Sequence, residues 1–152
     1  MHDARFIANK FIALAREDVG NSLTPMELLK LVYISHGWML GLYGVPLIKD
    51  TIEAWKFGPV IPKLYHSIKH WRGSPVLQEI VVASEGLVPA EENLIKQVYD
   101  IYGRTSGVGL SNLTHQAGTP WDRVYVDGIS NIPIPNDIIQ AHYKAMADSQ
   151  VK

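Results

Sequence analysis

The recurrence of apolar residues along the chain yields helices first. Ile7, Phe11 and Leu14 fall at i, i+4 and i+7, which is one face of a helix over Asp3 to Glu17. Asp3 is its expected N-cap, and Gly20-Asn21 ends it. A stronger start signal follows: Thr24 caps, Pro25 suits the first helical position, and Glu27 completes a capping box. Leu28, Leu31, Val32, Met39 and Leu42 line one face of this second helix, and Leu29, Tyr33, Trp38 and Leu40 widen it. A helix that is apolar around most of its circumference packs on several sides, so it is expected at the centre of the fold. Gly44 and Pro46 stop it.

Alternation with period two comes next. Thr51 to Lys56 reads as a short strand, closed by a Gly58-Pro59 turn. Pro62 opens a helix from about Lys63 to Trp71, which Gly73-Ser74-Pro75 breaks. Val76 to Ala83 is β-branched and apolar, a second strand and a candidate partner for the first. Pro89, Ala90 and Glu91 start another helix, with Leu94, Ile95, Val98 and Tyr102 inward and Gly103 as its cap. A glycine-spaced loop, Thr105 to Gly109, leads to a short helix over Leu110 to Gln116. Asn136 caps a terminal helix through Met146, with Ile138, Ile139, His142, Tyr143 and Met146 inward. The pattern predicts one domain over residues 1–152, mainly α (α+β). Five to six helices should surround the central one, all-helical but for a two- or three-stranded antiparallel β element.

Composition narrows the function classes. Of 152 residues, 47% are hydrophobic and 19% charged, values of a globular chain. The formal net charge is -1, which opposes a dedicated nucleic-acid binder, since phosphates demand a basic excess. Lys63, Lys69 and Arg72 are the best members of any local basic patch. Without cysteine, disulfides and thiolate metal sites are excluded, and the cytoplasm is the expected location. Met1 to Lys10 lacks the apolar core of a signal peptide. The longest apolar stretch, Leu28 to Tyr43, is interrupted by Lys30, Ser35 and His36, so no membrane span is expected.

Candidate chemistry is sparse. His66 and His70 stand at i, i+4, but there is no glutamate in the HExxH position and no third ligand nearby, so no metal is assigned. Ser111 and His115 are one helical turn apart, without a Gly-x-Ser-x-Gly elbow. His115 is read as bonded to backbone or a neighbouring loop. Glu53 has no carboxylate partner, and a tight Gly-Pro turn over Trp55 accounts for the same residues. Gly103, Gly107 and Gly109 lack the Gly-Lys-Ser/Thr ending of a phosphate loop. Trp38, Trp55, Trp71 and Trp121 divide between core and the kind of aromatic anchor that dominates protein interfaces. Tyr65, His66, Lys69, Trp71 and Arg72 are the candidate partner-binding set, with Trp71 the tryptophan expected to be exposed.

Three blocks carry a resemblance. The first is Leu23 to Tyr33 with His36-Gly37-Trp38, including Lys30, Tyr33, Gly37 and Trp38. The second is Ile52 to Pro62 with Tyr65, including Glu53, Trp55, Gly58 and Pro59. The third is Leu110 to Gln116 with Thr119-Pro120-Trp121, including Thr114 and His115. In this order and spacing they resemble the Panacea domain, the SocA-like antitoxin family also described as GepA-like phage-associated protein. The resemblance spans roughly Phe6 to Tyr143. It implies a binding protein and not an enzyme, with no catalytic residues and no cofactor. It also implies a protein partner, a cognate toxin, with a AAA+ protease as a second partner where the domain acts as an adaptor. Many antitoxins add a DNA-binding domain, which is not expected here. Two alternatives stay open: a phage or mobile-element protein that inhibits a host defence protein, and a hydrolase using Glu53 or His115.

Overall fold

A computed structural model describes residues 1–150. The first helix, α1, runs over Ala4–Glu17. Asp3 caps it by accepting from the Arg5 amide at 2.9 Å. Hydrogen bonds from Arg5, joined by the Lys63 ammonium at 3.3 Å, hold the Asp3 carboxyl well below the usual carboxylate range. The central helix, α2, spans Pro25–Tyr43. Its capping box forms as the sequence predicts: Glu27 N–H donates to Thr24 Oγ1, and Thr24 N–H donates to Glu27 Oε1 at 2.8 Å. Gly44 ends it in the left-handed region, φ 72.

Thirteen of the nineteen α2 residues are buried, which leaves no polar face. The helix is covered by α1, by α3 (Pro62–Ile68), by α4 (Pro89–Tyr102), by α5 (Gly107–His115) and by α7 (Asn136–Gln150). A short α6 (Pro120–Val124) bridges α5 and α7. The closest approach is to α7. A Cβ on Gly37 would stand 2.2 Å from the Tyr143 ring, and one on Gly41 2.8 Å from the Tyr143 backbone. Small residues one turn apart therefore set the α2–α7 distance. Buried His36 locks the same end. Its Nδ1 accepts from the Leu47 and Ile48 amides, and its Nε2 bonds Asn136 Oδ1 at 2.9 Å. Burial pushes its pKa down, in keeping with a neutral ring that both accepts and donates.

The β element is three-stranded and antiparallel, in the order β2-β1-β3, so the chain is not all-helical. β1 is Glu53–Trp55, β2 is Gly58–Val60 and β3 is Ile132–Pro133. Ala54 pairs with Pro59 on one side and Ile132 on the other. Pro133 sits on an edge strand, where its missing N–H costs no ladder bond.

Several expectations are corrected. Gly58-Pro59 is not the turn. Those residues belong to β2, and the turn is Lys56-Phe57, whose φ values stay negative while Gly58 takes φ 123. The partner of β1 is therefore the next segment along, and Val76 to Ala83 forms no strand. A two-residue turn brings residues 58–60 back at once, whereas residues 76–83 are carried away by α3. Among the described residues there are seven helices, α2 and six others, in keeping with the five to six expected about a central one; α6 is the helix that the apolar pattern did not single out. α5 begins at Gly107, where Ser106 caps it, three residues before the expected Leu110. α7 continues to Gln150, beyond Met146. Of its expected inward side chains, Ile139 and Tyr143 are buried, while Ile138, His142 and Met146 are half-buried. Leu42, expected on the apolar face of α2, is half-exposed.

Candidate functional site: a clamped hairpin with an aromatic face

The β1–β2 hairpin is where the three sequence blocks meet. Lys30, one turn into α2, is 3% exposed. Its ammonium donates to the Pro59 carbonyl at 2.8 Å. Among the described residues no carboxylate pairs with it, and burial pushes its pKa down to about 8. Ser111 of α5 donates from Oγ to the Phe57 carbonyl at 2.7 Å. The Trp121 indole of α6 donates to the Trp55 carbonyl. Three elements, α2, α5 and α6, thus hold three carbonyls of one hairpin. Gly58 lies between them: a Cβ there would come 3.1 Å from Lys30 Nζ and 3.5 Å from Thr114 Oγ1. With φ 123 as well, only glycine fits without strain.

The clamp leaves the tip outside. Phe57 is 64% exposed, with the Lys56 ammonium 5.6 Å from its ring. Half-buried aromatics stand beside it. Trp55 meets Tyr65 edge-on at 5.1 Å, His115 meets Trp121 edge-on at 5.2 Å, and Trp121 stacks on Tyr125 at 4.5 Å.

The polar candidates are engaged in holding this geometry. Glu53 accepts from the Trp55 indole at 2.9 Å across one face of β1. His115 Nδ1 bonds the Ser111 carbonyl and stands 3.3 Å from Ser111 Oγ. Thr114 Oγ1 donates to carbonyls of its own helix. Pro120 is buried at the start of α6, which Thr119 caps. The Tyr33 hydroxyl is buried without a partner among the described residues. An open cleft of about 660 Å³ lies elsewhere, between α2, α4 and α7, lined by Trp38, Leu42, Leu94, Val98, Ile101 and Tyr102.

Residues 28–122 match the family described as Antitoxin SocA-like, Panacea domain. The chain belongs to this SocA-like antitoxin family. It is 32% identical over 130 residues to a protein named Antitoxin SocA from Caulobacter vibrioides, an alignment covering 79% of this chain and 69% of that one. No solved structure matches it.

Within this SocA-like chain, the expected partner-binding set is only partly brought together. Tyr65 joins the aromatic face through Trp55. His66 is exposed on α3, and Lys69 and Arg72 are exposed at the 3-10 turn Lys69–Trp71 and just after it. The α-helix ends at Ile68, so His70 is out of helical register with His66. Among the described residues, no group of three or more histidines and carboxylates is placed to hold a metal ion. Trp71, expected exposed, is half-buried against the core. Lys63 leaves the basic patch for Asp3. No described helix is long and apolar enough to cross a membrane.

Phe57 was missed by sequence reasoning, although a signal exists. A residue between a short alternating run and a Gly-Pro is a hairpin tip if the glycine is read as the first residue of the returning strand and not as the turn. His36 left no such signal, because its partners come from two distant segments.

Proposed function

We propose that this chain neutralises a cognate toxin by direct protein–protein contact, with the Phe57 tip and its aromatic flank as the contact surface. The observation that carries this reading is an exposed phenylalanine on backbone that three elements clamp, all three drawn from the blocks that mark the family. A rigid aromatic anchor loses little conformational entropy on binding, which is the property of an interface hot spot. Binding and not catalysis is also supported by the state of Glu53 and His115, each already bonded to its own hairpin or helix.

The test is co-expression with the protein encoded beside this chain's gene. Wild type should restore growth and co-purify with that protein. Phe57→Ala, at an exposed position, should fold normally and weaken the complex by about tenfold or more. Rescue that survives Phe57→Ala and also Trp121→Ala would move the contact surface elsewhere. A toxin that disappears from the cells, instead of accumulating in the complex, would favour delivery to a protease. A neighbour that is harmless, with no complex, would sink the antitoxin reading and leave inhibition of a host protein as its replacement.

A further inference from the structure

Residues 75–88, outside any helix or strand and bent at Gln78, form a strap along α1. Val76 plugs the core at one end, its amide donating to the Leu23 carbonyl at 2.7 Å. The Arg16 side chain then reaches the Leu77 carbonyl, Asn9 holds Ile80, and His2 holds Glu85. The strap therefore runs antiparallel to α1. From Glu79 to Ala83 the burial alternates, with Ile80 and Val82 half-buried against the core and Glu79, Val81 and Ala83 exposed, which is the period of an extended chain. The Asn9 clamp is two-pronged. Nδ2 donates to the Ile80 carbonyl at 2.9 Å, and Oδ1 accepts from the Ile80 amide at 2.7 Å. A side-chain amide thus takes the place of a neighbouring strand on the edge facing α1.

The other edge has nothing on it. Backbone groups of an extended chain point alternately to its two edges, so with Ile80 turned to α1, those of Glu79, Val81 and Ala83 turn outward. Among the described residues, no amide of these three has an intramolecular acceptor. Val81 is 96% exposed and Leu77 65%. From Glu79 to Ala83 there is no proline, lysine or bend, the features that blunt an open edge.

We infer that residues 79–83 are an edge for strand addition, taken by an extended segment of a partner protein that carries Lys or Arg opposite Glu79. Charge selects this occupant over a second copy of the strap. The charged residues of 75–88 are Glu79 and Glu85, and Glu85 is engaged with His2. Two straps would add a second unneutralised carboxylate to one ladder, whereas a basic segment neutralises Glu79. The inference rests on the toxin-binding reading above and adds a second, main-chain contact to it.

The test uses the complex purified after co-expression with the protein encoded beside the gene. Hydrogen exchange is measured on the chain free and bound. The Glu79, Val81 and Ala83 amides should exchange rapidly in the free protein and slow sharply in the complex. Val81→Pro removes one outward donor that the free fold does not use, so the melting temperature should hold while affinity falls about tenfold. Val81→Ala keeps the donor and should bind nearly as wild type. Equal losses for both variants would mean side-chain packing and overturn strand addition. A complex without protection of the strap would overturn it too, while leaving the Phe57 contact standing. Concentration-dependent dimerisation abolished by Val81→Pro would give the edge to a second copy and overturn the basic partner. Absence of any complex would remove the toxin-binding reading first, and this inference with it.

Discussion

Two segments of this chain read as strands: residues 51–56 and residues 76–83. Only the first enters a sheet. Its partners arrive by a two-residue turn on one side and by the return of residues 132–133 on the other. The second has the richer β-branched composition but meets only a helix, and Asn9 supplies a single bridge where a strand would supply a ladder. β propensity describes a side chain's fit to a pleated surface; it does not deliver the neighbouring backbone. The hairpin is locked by groups beneath it and presents one side chain. The strap is pinned at intervals and presents its main chain.

This contrast is breakable at its clamps. The largest expected effect concerns Lys30. Its folded pKa of about 8 lies below the unfolded value of 10.5, so between those values the unfolded chain binds more protons. The Lys30 contribution to stability should therefore rise with pH, by about 2 kcal/mol from pH 8 to 9.5, and change little below pH 8, where the lowered pKa of His36 governs the acid side instead. Above pH 10 the trend reverses, because burial raises the pKa of Tyr33 and Tyr143, which keep protons that the unfolded chain releases. Urea denaturation of wild type and Lys30→Met across this range checks it. The variant should lose the rise between pH 8 and 9.5.

Next in size is Gly58→Ala, which combines positive-φ strain with crowding of Lys30, and should cost about 2 kcal/mol in the same assay. The matching change in the strap, Gly86→Ala, meets nothing within 4 Å and has no positive φ. It should stay within about 0.5 kcal/mol of wild type. Equal costs at the two sites would erase the distinction between clamped hairpin and pinned strap. Asn9→Ala should cost less than Gly58→Ala, about 1 kcal/mol for the lost bonds to Ile80. Exchange at the Ile80 amide should accelerate while hairpin amides stay unchanged.

The candidate site was legible as a set of residues but not as an arrangement. Lys30, Gly58, Thr114 and Trp121 stand out in the blocks that resemble the family, and they do converge. Their roles did not follow from the chain, because Lys30 meets Pro59 across 29 positions and Ser111 meets Phe57 across 54. Tyr65, His66, Lys69, Trp71 and Arg72 looked like one surface through closeness in sequence. The end of α3 at Ile68 separates Tyr65, which turns to Trp55, from the residues that follow.

The sequence by itself determined α1, α2 and α4, the caps of α1 and α2, and the centrality of α2. Those depend on periodicity and on hydrogen bonds made within one turn, which local residue order specifies. Only the tertiary structure decided which extended segment finds a strand, which buried ammonium finds a carbonyl, and which edge is left open. These outcomes depend on backbone brought from far along the chain, and no local pattern encodes where that backbone will be.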